Sequence, residues 1–137
     1  MSRNWSKFCL NEHIDERGVL SVFEAFDPFY FAPKRVFFIT GAWNDFLYIH
    51  RGNHAVRHKE IIICVQGEAL VSLEDGSASQ TLRLQQSGAL FVRPMVWIEL
   101  EFRKEHTALC VLAEQPFAES EYIRDYEEWK TCVAAKT

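Results

Sequence analysis

Short apolar runs alternate with polar breaks along most of the chain, a pattern typical of β-strands. The runs are rich in Val, Ile, Leu and Phe, which favour strands. They predict strands over residues 19–25, 35–40, 68–73, 80–84, 89–93, 96–102 and 108–113. Asp75 and Gly76, inside the loop 74–79, predict a hairpin between two of these strands. Regular short strands separated by turn residues predict an all-β sandwich or jelly roll.

The last part of the chain changes period. Apolar residues recur there at three- and four-residue spacing, namely Tyr122, Ile123, Tyr126, Trp129 and Val133. This spacing predicts an amphipathic helix over residues 119–135, whose one apolar face packs against another surface. The sequence shows no internal repeat and no linker-like tract, so we predict a single domain over residues 1–137.

Composition and charge narrow the function classes. Hydrophobic residues make up 48% and charged residues 25% of the 137 positions, as in soluble globular proteins. The net charge of −4 argues against nucleic-acid binding, and no apolar run is long enough to span a membrane. The first residues lack the apolar core of a signal peptide, so we predict a cytoplasmic protein. The four cysteines are scattered, which argues against a disulfide framework or a zinc site.

Residues 51–60 carry the candidate chemistry. Four side chains stand there at even spacing, namely His54, Val56, His58 and Glu60. On a regular strand these side chains share one face. If that face lines the mouth of a small barrel, the chain holds an acid–base group in a pocket. If the face meets water, it is a polar edge.

The same stretch resembles the first motif of the jelly-roll cupins. That motif reads His-x-His, three or four residues, Glu, six residues, Gly. His54, Glu60 and Gly67 fit this spacing, and Val56 stands where the second histidine belongs.

The second cupin motif, Gly, five residues, Pro and then a histidine, is matched in part. Gly88 and Pro94 fit, but the region 97–99 has no histidine. Metal-binding cupins offer three or four N or O ligands on the inner face. The groups that this chain retains are at most His54, Glu60 and either His58 or Glu99. We therefore predict a barrel without bound metal.

A narrower resemblance covers nearly the whole chain. It rests on an ordered set of stretches at 15–18, 34–37, 51–55, 64–67, 74–76, 93–97 and 121–126, which read DERG, KRVF, RGNHA, CVQG, EDG, RPMVW and EYIRDY. In this order the set resembles the WxcM-like sugar ketoisomerases, the dTDP-4-dehydro-6-deoxyglucose 3,4-ketoisomerases of bacterial deoxysugar pathways. The resemblance implies a homodimer that shares strands, a nucleotide-sugar substrate, and no cofactor. We predict an all-β, RmlC-like jelly-roll cupin barrel with a C-terminal helix.

The chemistry of such enzymes explains the need for a histidine. Moving a ketone from C4 to C3 removes the acidic proton at C3 and returns a proton at C4, with an enediol between. Histidine titrates near neutrality and can both take and give a proton. The family shares an Arg-Gly-x-His-Ala-His stretch with two inner histidines. The resemblance implies that His54 is the base and that Arg51 is the motif arginine.

Two departures from the family pattern remove polar groups. Val56 replaces the second histidine and cannot move protons, and Ile98 follows Trp97 where family members often have histidine. Loss of one proton-transfer group typically costs about 10²–10⁴-fold in rate. His58, one pleat further along, is either a substitute shuttle or a residue at the barrel rim. Glu60 is either a pocket group and possible relay or a strand-end charge in water.

The remaining candidates are expected to bind the substrate. Arg17, Arg35 and Arg51 carry guanidinium forks that match the oxygens of a diphosphate, although each can equally pair with a surface carboxylate. Trp97 either stacks on a sugar or base ring or packs in the core.

Three functions follow from these features. The first is the ketoisomerase, acting on a dTDP-linked 4-keto-6-deoxyhexose. The second is a cupin that binds a nucleotide sugar without turnover, a possibility that Val56 and Ile98 favour. The third is an epimerase on the same substrate class, which returns the proton to the same carbon from the other face. Solvent exchange at C3 without ketone migration would indicate the epimerase.

Overall fold

The computed structural model describes residues 4–24, 31–41 and 49–135, and for residues 49–51 the backbone alone. In chain order, its elements are β1 (Trp5–Cys9), β2 (Asn11–Asp15), β3 (Gly18–Val22), β4 (Arg35–Thr40), β5 (Ile49–Val56), β6 (Glu60–Gln66), β7 (Glu68–Glu74), β8 (Ser79–Gln85), β9 (Gly88–Val92), β10 (Trp97–Phe102), β11 (Ala108–Ala113), a 3-10 helix (Glu119–Glu121), β12 (Tyr122–Ile123) and α1 (Tyr126–Ala134). Residue 25, the predicted end of one strand, lies outside the described residues.

Two five-stranded antiparallel sheets enclose the core. The first sheet has the strand order β1-β9-β6-β11-β4, the second has the order β12-β5-β10-β7-β8, and β2 and β3 form a separate hairpin. Buried side chains of both sheets meet in one cluster, among them Ile62 and Val111 of the first sheet and Val71 and Leu100 of the second. The predicted all-β jelly-roll architecture is confirmed, and so is a C-terminal helix.

Helix α1 covers the outer face of the second sheet. Trp129 is fully buried and packs with Ala55, Trp97 and Ile123, which all lie on that face. The indole Nε1 of Trp129 also donates a hydrogen bond to the carbonyl of Met95 at 2.8 Å. The amphipathic pattern of the sequence thus reflects packing against the chain's own sheet. Among the described residues, no helix is long and apolar enough to span a membrane.

The helix is shorter than predicted. It begins after Asp125, whose side chain accepts a hydrogen bond from the backbone N–H of Glu128 at 2.9 Å and so caps the first turn. Before it, residues 119–121 form a 3-10 turn, and Tyr122–Ile123 forms β12, which pairs with Ala55 and Val56 of β5. Backbone pairing with the edge of the sheet therefore overrides the helical spacing of the side chains.

The even spacing predicts that residues 54–60 share one strand face. The structure differs, because the chain crosses between the two sheets there. β5 ends at Val56 in the second sheet, and β6 begins at Glu60 in the first. At the crossing, the backbone N–H of Arg57 donates to the carbonyl of Glu121 at 2.9 Å. The crossing brings the two halves of the motif to facing sheets.

One glycine of the motif is required by the backbone. Gly67 joins β6 to β7 with φ +83°, in the left-handed region that favours glycine. A Cβ at this position would collide with the side chain and backbone of Thr107. The turn therefore has room only for a hydrogen.

Candidate active site

One row of side chains crosses the inner face of the first sheet. The strand register places these residues opposite one another, namely Trp5, Val92, Glu60, Ala113 and Arg35 on β1, β9, β6, β11 and β4. Residues that oppose each other in antiparallel strands point to the same face of the sheet. Trp5 and Val92 belong to the core between the sheets. Glu60 and Arg35 therefore also point inward, on either side of the small Ala113 side chain.

His54 lies on the inner face of the second sheet. The register pairs His54 with Ile98, and Ile98 with Leu73, and both apolar partners belong to the shared core. Two residues further on, Val56 pairs with Tyr122 of β12 and shares this inward orientation. The ring of Tyr122 meets the imidazole of His54 edge-on, with centroids 5.1 Å apart and an interplanar angle of 69°.

Arg35 joins the two sheets at this point. Its Nη2 donates a hydrogen bond to the hydroxyl of Tyr122 at 2.5 Å. The guanidinium carbon lies 4.7 Å, 5.5 Å and 5.7 Å from the ring centroids of Phe37, Phe117 and Tyr122. The Nε of Arg35 is buried and has no hydrogen-bond partner among the described residues. Arg35 therefore retains a donor that an anion can use.

The surroundings of His54 favour a neutral imidazole. Burial is the main cause that lowers the pKa of His54, and the positive charges of Arg124 and Arg35 lower it further, to about 4. Arg124 is held in place by Glu119, with Nε and Oε1 2.6 Å apart, and its guanidinium lies 4.7 Å from the ring centroid of Tyr122. At neutral pH, His54 therefore has a free lone pair with which to accept a proton.

His58 and Glu60 meet in the interior although they do not share a strand face. They are only 2% and 3% exposed, and Nε2 of His58 lies 3.9 Å from Oε2 of Glu60. Nδ1 of His58 lies 2.9 Å from Oε1 of Glu121, within hydrogen-bond distance. Burial raises the pKa of Glu60 to about 7, against the opposing effect of Arg35. Glu60 is therefore buried, in contrast to the alternative that placed it in water at a strand end.

Trp97 lies on the opposite side of the second sheet from His54. It is 4% exposed and packs against Tyr126 and Trp129, with ring centroids 5.2 Å and 5.8 Å away. Its indole Nε1 donates a hydrogen bond to Glu99 at 2.9 Å. This geometry supports the alternative that Trp97 packs in the protein, and not the one in which it stacks on a sugar or base ring.

Of the other two predicted arginines, Arg17 alone has a described side chain, and it lies away from His54 in the part of the chain that the structure describes. Arg17 sits in the turn between β2 and β3, where its side chain is 85% exposed and pairs with Asp15 at 2.5 Å. The side chain of Arg51 lies outside the described residues. In the described ranges, no three His, Cys, Asp or Glu side chains form a group that could hold a metal ion.

Sequence reasoning missed the contribution of the segment 117–124. The helical spacing assigned Tyr122 to a packing face, whereas its ring contacts His54 and its hydroxyl contacts Arg35. Glu121 and Arg124 flank it and reach His58 and His54 respectively, the first by hydrogen bond and the second through its charge. The sequence did contain an indication that this segment matters, because the stretch EYIRDY belongs to the ordered set that resembles the ketoisomerases.

Comparison with known proteins gives consistent matches over this fold. A family profile described as FdtA, WxcM-like, C-terminal matches residues 3–134. A TDP-4-oxo-6-deoxy-alpha-D-glucose-3,4-oxoisomerase from Aneurinibacillus thermoaerophilus is 32% identical over 123 residues, which cover 88% of this chain and 86% of that protein.

Solved structures agree with the sequence comparison. The sugar 3,4-ketoisomerase QdtA from Thermoanaerobacterium thermosaccharolyticum, in complex with TDP, is 27% identical with a TM-score of 0.86, covering 99% of this chain and 98% of that one. A QdtA mutant with one histidine replaced by asparagine, in complex with TDP-4-keto-6-deoxyglucose, gives the same identity, TM-score and coverage. The chain therefore belongs to the FdtA family, the WxcM-like C-terminal family to which sequence and fold both match.

Proposed function

We propose that this protein is a nucleotide-sugar isomerase that moves the ketone of a TDP-linked 4-keto-6-deoxyhexose from C4 to C3 through an enediol. The observation that carries the proposal is His54, which points inward from the second sheet as a neutral imidazole beside Tyr122 and the half-buried Arg35. Family membership supports it, since the curated relative is a TDP-4-oxo-6-deoxyglucose 3,4-oxoisomerase.

The neutral state of His54 suits the first step. Its lone pair takes the proton from C3, the carbon next to the ketone, and the resulting imidazolium then gives a proton to C4 of the enediol. Over the same reaction the hydroxyl proton leaves O3 and a proton arrives on O4, so that atoms and charge balance. His54 is thus the base and then the acid for the carbon-bound proton.

The positive charge around His54 matches an anionic substrate. Arg35 and Arg124 both act on His54 through their charges, and Nε of Arg35 has no partner among the described residues. Guanidinium groups bind phosphate oxygens through paired N–H donors. A bound diphosphate offsets the arginine charges and raises the pKa of His54, so substrate binding makes the base stronger.

Catalysis by His54 is tested by conversion of TDP-4-keto-6-deoxyglucose to its 3-keto isomer. We expect His54→Asn to lower kcat by at least about 10²-fold, because the variant has no group to accept the C3 proton. His106→Asn is the matched control. His106 is exposed, and its φ of 58° lies in the left-handed region that asparagine tolerates. Equal turnover by His54→Asn and wild type would contradict the proposed role.

A binding protein without turnover is the second candidate. The observation that favours it is the apolar character of two inner positions, since Val56 and Ile98 are 1% and 2% exposed and stand where relatives are expected to have histidines. Under this alternative TDP raises the melting temperature, but the sugar nucleotide is recovered unchanged. The isomerase assay therefore separates the two candidates directly.

We further propose that the protein acts as a homodimer. Apolar side chains are exposed on the hairpin and on the edge strand β4, where Ile14 is 71%, Leu20 61% and Phe38 70% exposed. Exposed apolar patches on soluble proteins commonly mark contacts with a partner. Arg17 lies in the turn of the β2–β3 hairpin, so its proposed contact with a diphosphate would be made from this hairpin.

A further inference from the structure

The crossing between the sheets buries two titratable side chains that the mechanism above leaves unused. His58 and Glu60 flank Lys59, and both are almost fully buried. The two atoms that face each other, Nε2 of His58 and Oε2 of Glu60, are 3.9 Å apart, and neither has a hydrogen-bond partner among the described residues. Buried polar atoms normally have partners, so an unpartnered pair needs an explanation. A small rotation of either side chain closes the gap to a hydrogen bond.

A third group continues this pair to the surface. Nδ1 of His58 lies 2.9 Å from Oε1 of Glu121, whose side chain is 26% exposed. Glu121 and His58 line an open cavity with Arg57, Glu114 and Phe117. At the other end, Glu60 points inward in the row that contains Arg35. The three groups therefore form a line from solvent to the interior between the sheets.

The protonation states suit transfer along this line. With Glu121 as acceptor, His58 carries its proton on Nδ1 and turns the lone pair of Nε2 toward Glu60. Burial keeps Glu60 protonated up to about pH 7, so its carboxyl can donate to that lone pair near neutrality. The other charged groups near the line are Arg57 and Glu114 at the open cavity and Arg35 across the inner row.

We propose that Glu121, His58 and Glu60 form a proton relay that supplies the second proton-transfer function of the isomerisation, which Val56 cannot perform. The inference rests on the proposed function. His54 takes the proton from C3 and gives a proton to C4, while Glu60 gives a proton to O4 as the carbonyl becomes a hydroxyl and recovers one from O3. Protons lost or gained at Glu60 are exchanged with solvent through His58 and Glu121. No net proton is consumed.

Kinetics of Glu60→Gln test the relay. We expect kcat to fall about 10²–10⁴-fold while KM and TDP binding stay close to wild type, because the amide fills the same space but cannot transfer a proton. The matched control is Glu114→Gln, which lines the same cavity and retains an oxygen to accept the Lys59 N–H. Unchanged kcat in Glu60→Gln, or an equal loss in Glu114→Gln, would overturn the relay.

Ring ¹⁵N NMR of His58 provides a readout that does not depend on turnover. We expect the Nδ1–H tautomer, and an Nε2 shift that moves with a midpoint near pH 7 as Glu60 titrates. This pH-dependent change in the Nε2 shift should be absent in Glu60→Gln and present in Glu114→Gln. An Nε2–H tautomer, or a step that persists in Glu60→Gln, would overturn the relay even if the isomerase is active. An inactive wild type that shows the expected step would instead overturn the proposed function, and with it the use of the relay in catalysis.

Discussion

At the scale of single residues, His54 shows how the fold removes charge from a side chain that ordinarily titrates near neutrality. Its inward position was expected from the Arg-Gly-x-His-Ala stretch, which is local in sequence. Its low pKa was not, because burial and the charges of Arg124 and Arg35 come from segments far along the chain. Sequence spacing identifies a candidate base, but only the tertiary structure sets its protonation state.

The low pKa of His54 predicts a pH dependence of stability. Between pH 6.5 and about 4 the unfolded chain takes up a proton at His54 that the folded chain does not bind, so the contribution of His54 to the free energy of unfolding is lost as pH falls through this window. Glu60, with its pKa raised from 4.5 to about 7, acts in the opposite sense, since its contribution is lost as pH rises through that range.

Comparison of two proteins isolates the His54 contribution. Urea denaturation of wild type and His54→Asn should give a stability difference that shifts in favour of the variant as pH is lowered from 7 to 4. The Glu60 effect is common to both proteins and cancels in this difference. Parallel pH profiles for the two proteins would contradict a neutral, half-buried His54.

At the scale of elements, the strands with strong apolar periods were predictable and those without such a period were not. The apolar run 108–113 is β11 with the same limits, because its alternate residues fill the core. β2 is exposed along its whole length and lacks any such period. The two residues of β12 form a strand only because β5 lies beside them. β2 and β12 were therefore missed because neither carries an apolar period of its own: β2 pairs with the neighbouring β3 of its hairpin, and β12 pairs with the distant β5.

Helix α1 should contribute to stability mainly through one side chain. Trp129→Ala removes a fully buried indole and its hydrogen bond to Met95, so we expect a loss of about 3–5 kcal/mol in the free energy of unfolding. Glu127→Ala, two residues before Trp129 on the exposed side of the helix, should change the free energy of unfolding by at most about 0.5 kcal/mol. Urea denaturation measures both. Similar small effects would mean that the helix does not anchor on the second sheet through Trp129.

At the scale of the whole molecule, the outer face of the first sheet differs from an ordinary solvent-facing surface. Ile61, Ile63 and Phe91 form an apolar cluster there, and Cys110 packs against it. Phe38, opposite Cys110 on the edge strand, remains 70% exposed. The apolar face thus continues to the edge of the sheet, where a second copy of the chain would cover it. The sequence alone did not show this patch, because it depends on which strand lies at the edge.

The proposed dimer predicts a specific response to charge at this edge. Phe38→Asp should shift the protein from dimer to monomer in sedimentation velocity, because an aspartate would be buried without a partner in the interface. Thr81→Asp is the control, since Thr81 is exposed on β8 at the edge of the other sheet. A monomeric wild type, or equal dissociation of both variants, would argue against this interface.

Proton NMR in D₂O tests most directly whether His54 removes the C3 proton. Wild type and His54→Asn are each incubated with TDP-4-keto-6-deoxyglucose, and the sugar is followed at C3 and C4. We expect the wild type to form a 3-keto product that carries deuterium at C4, because the proton on the His54 imidazolium exchanges with solvent. We expect neither product nor exchange at C3 in the variant. Contradiction would come from product formation by His54→Asn at the wild-type rate, or from a wild type that binds TDP yet leaves both carbons unchanged.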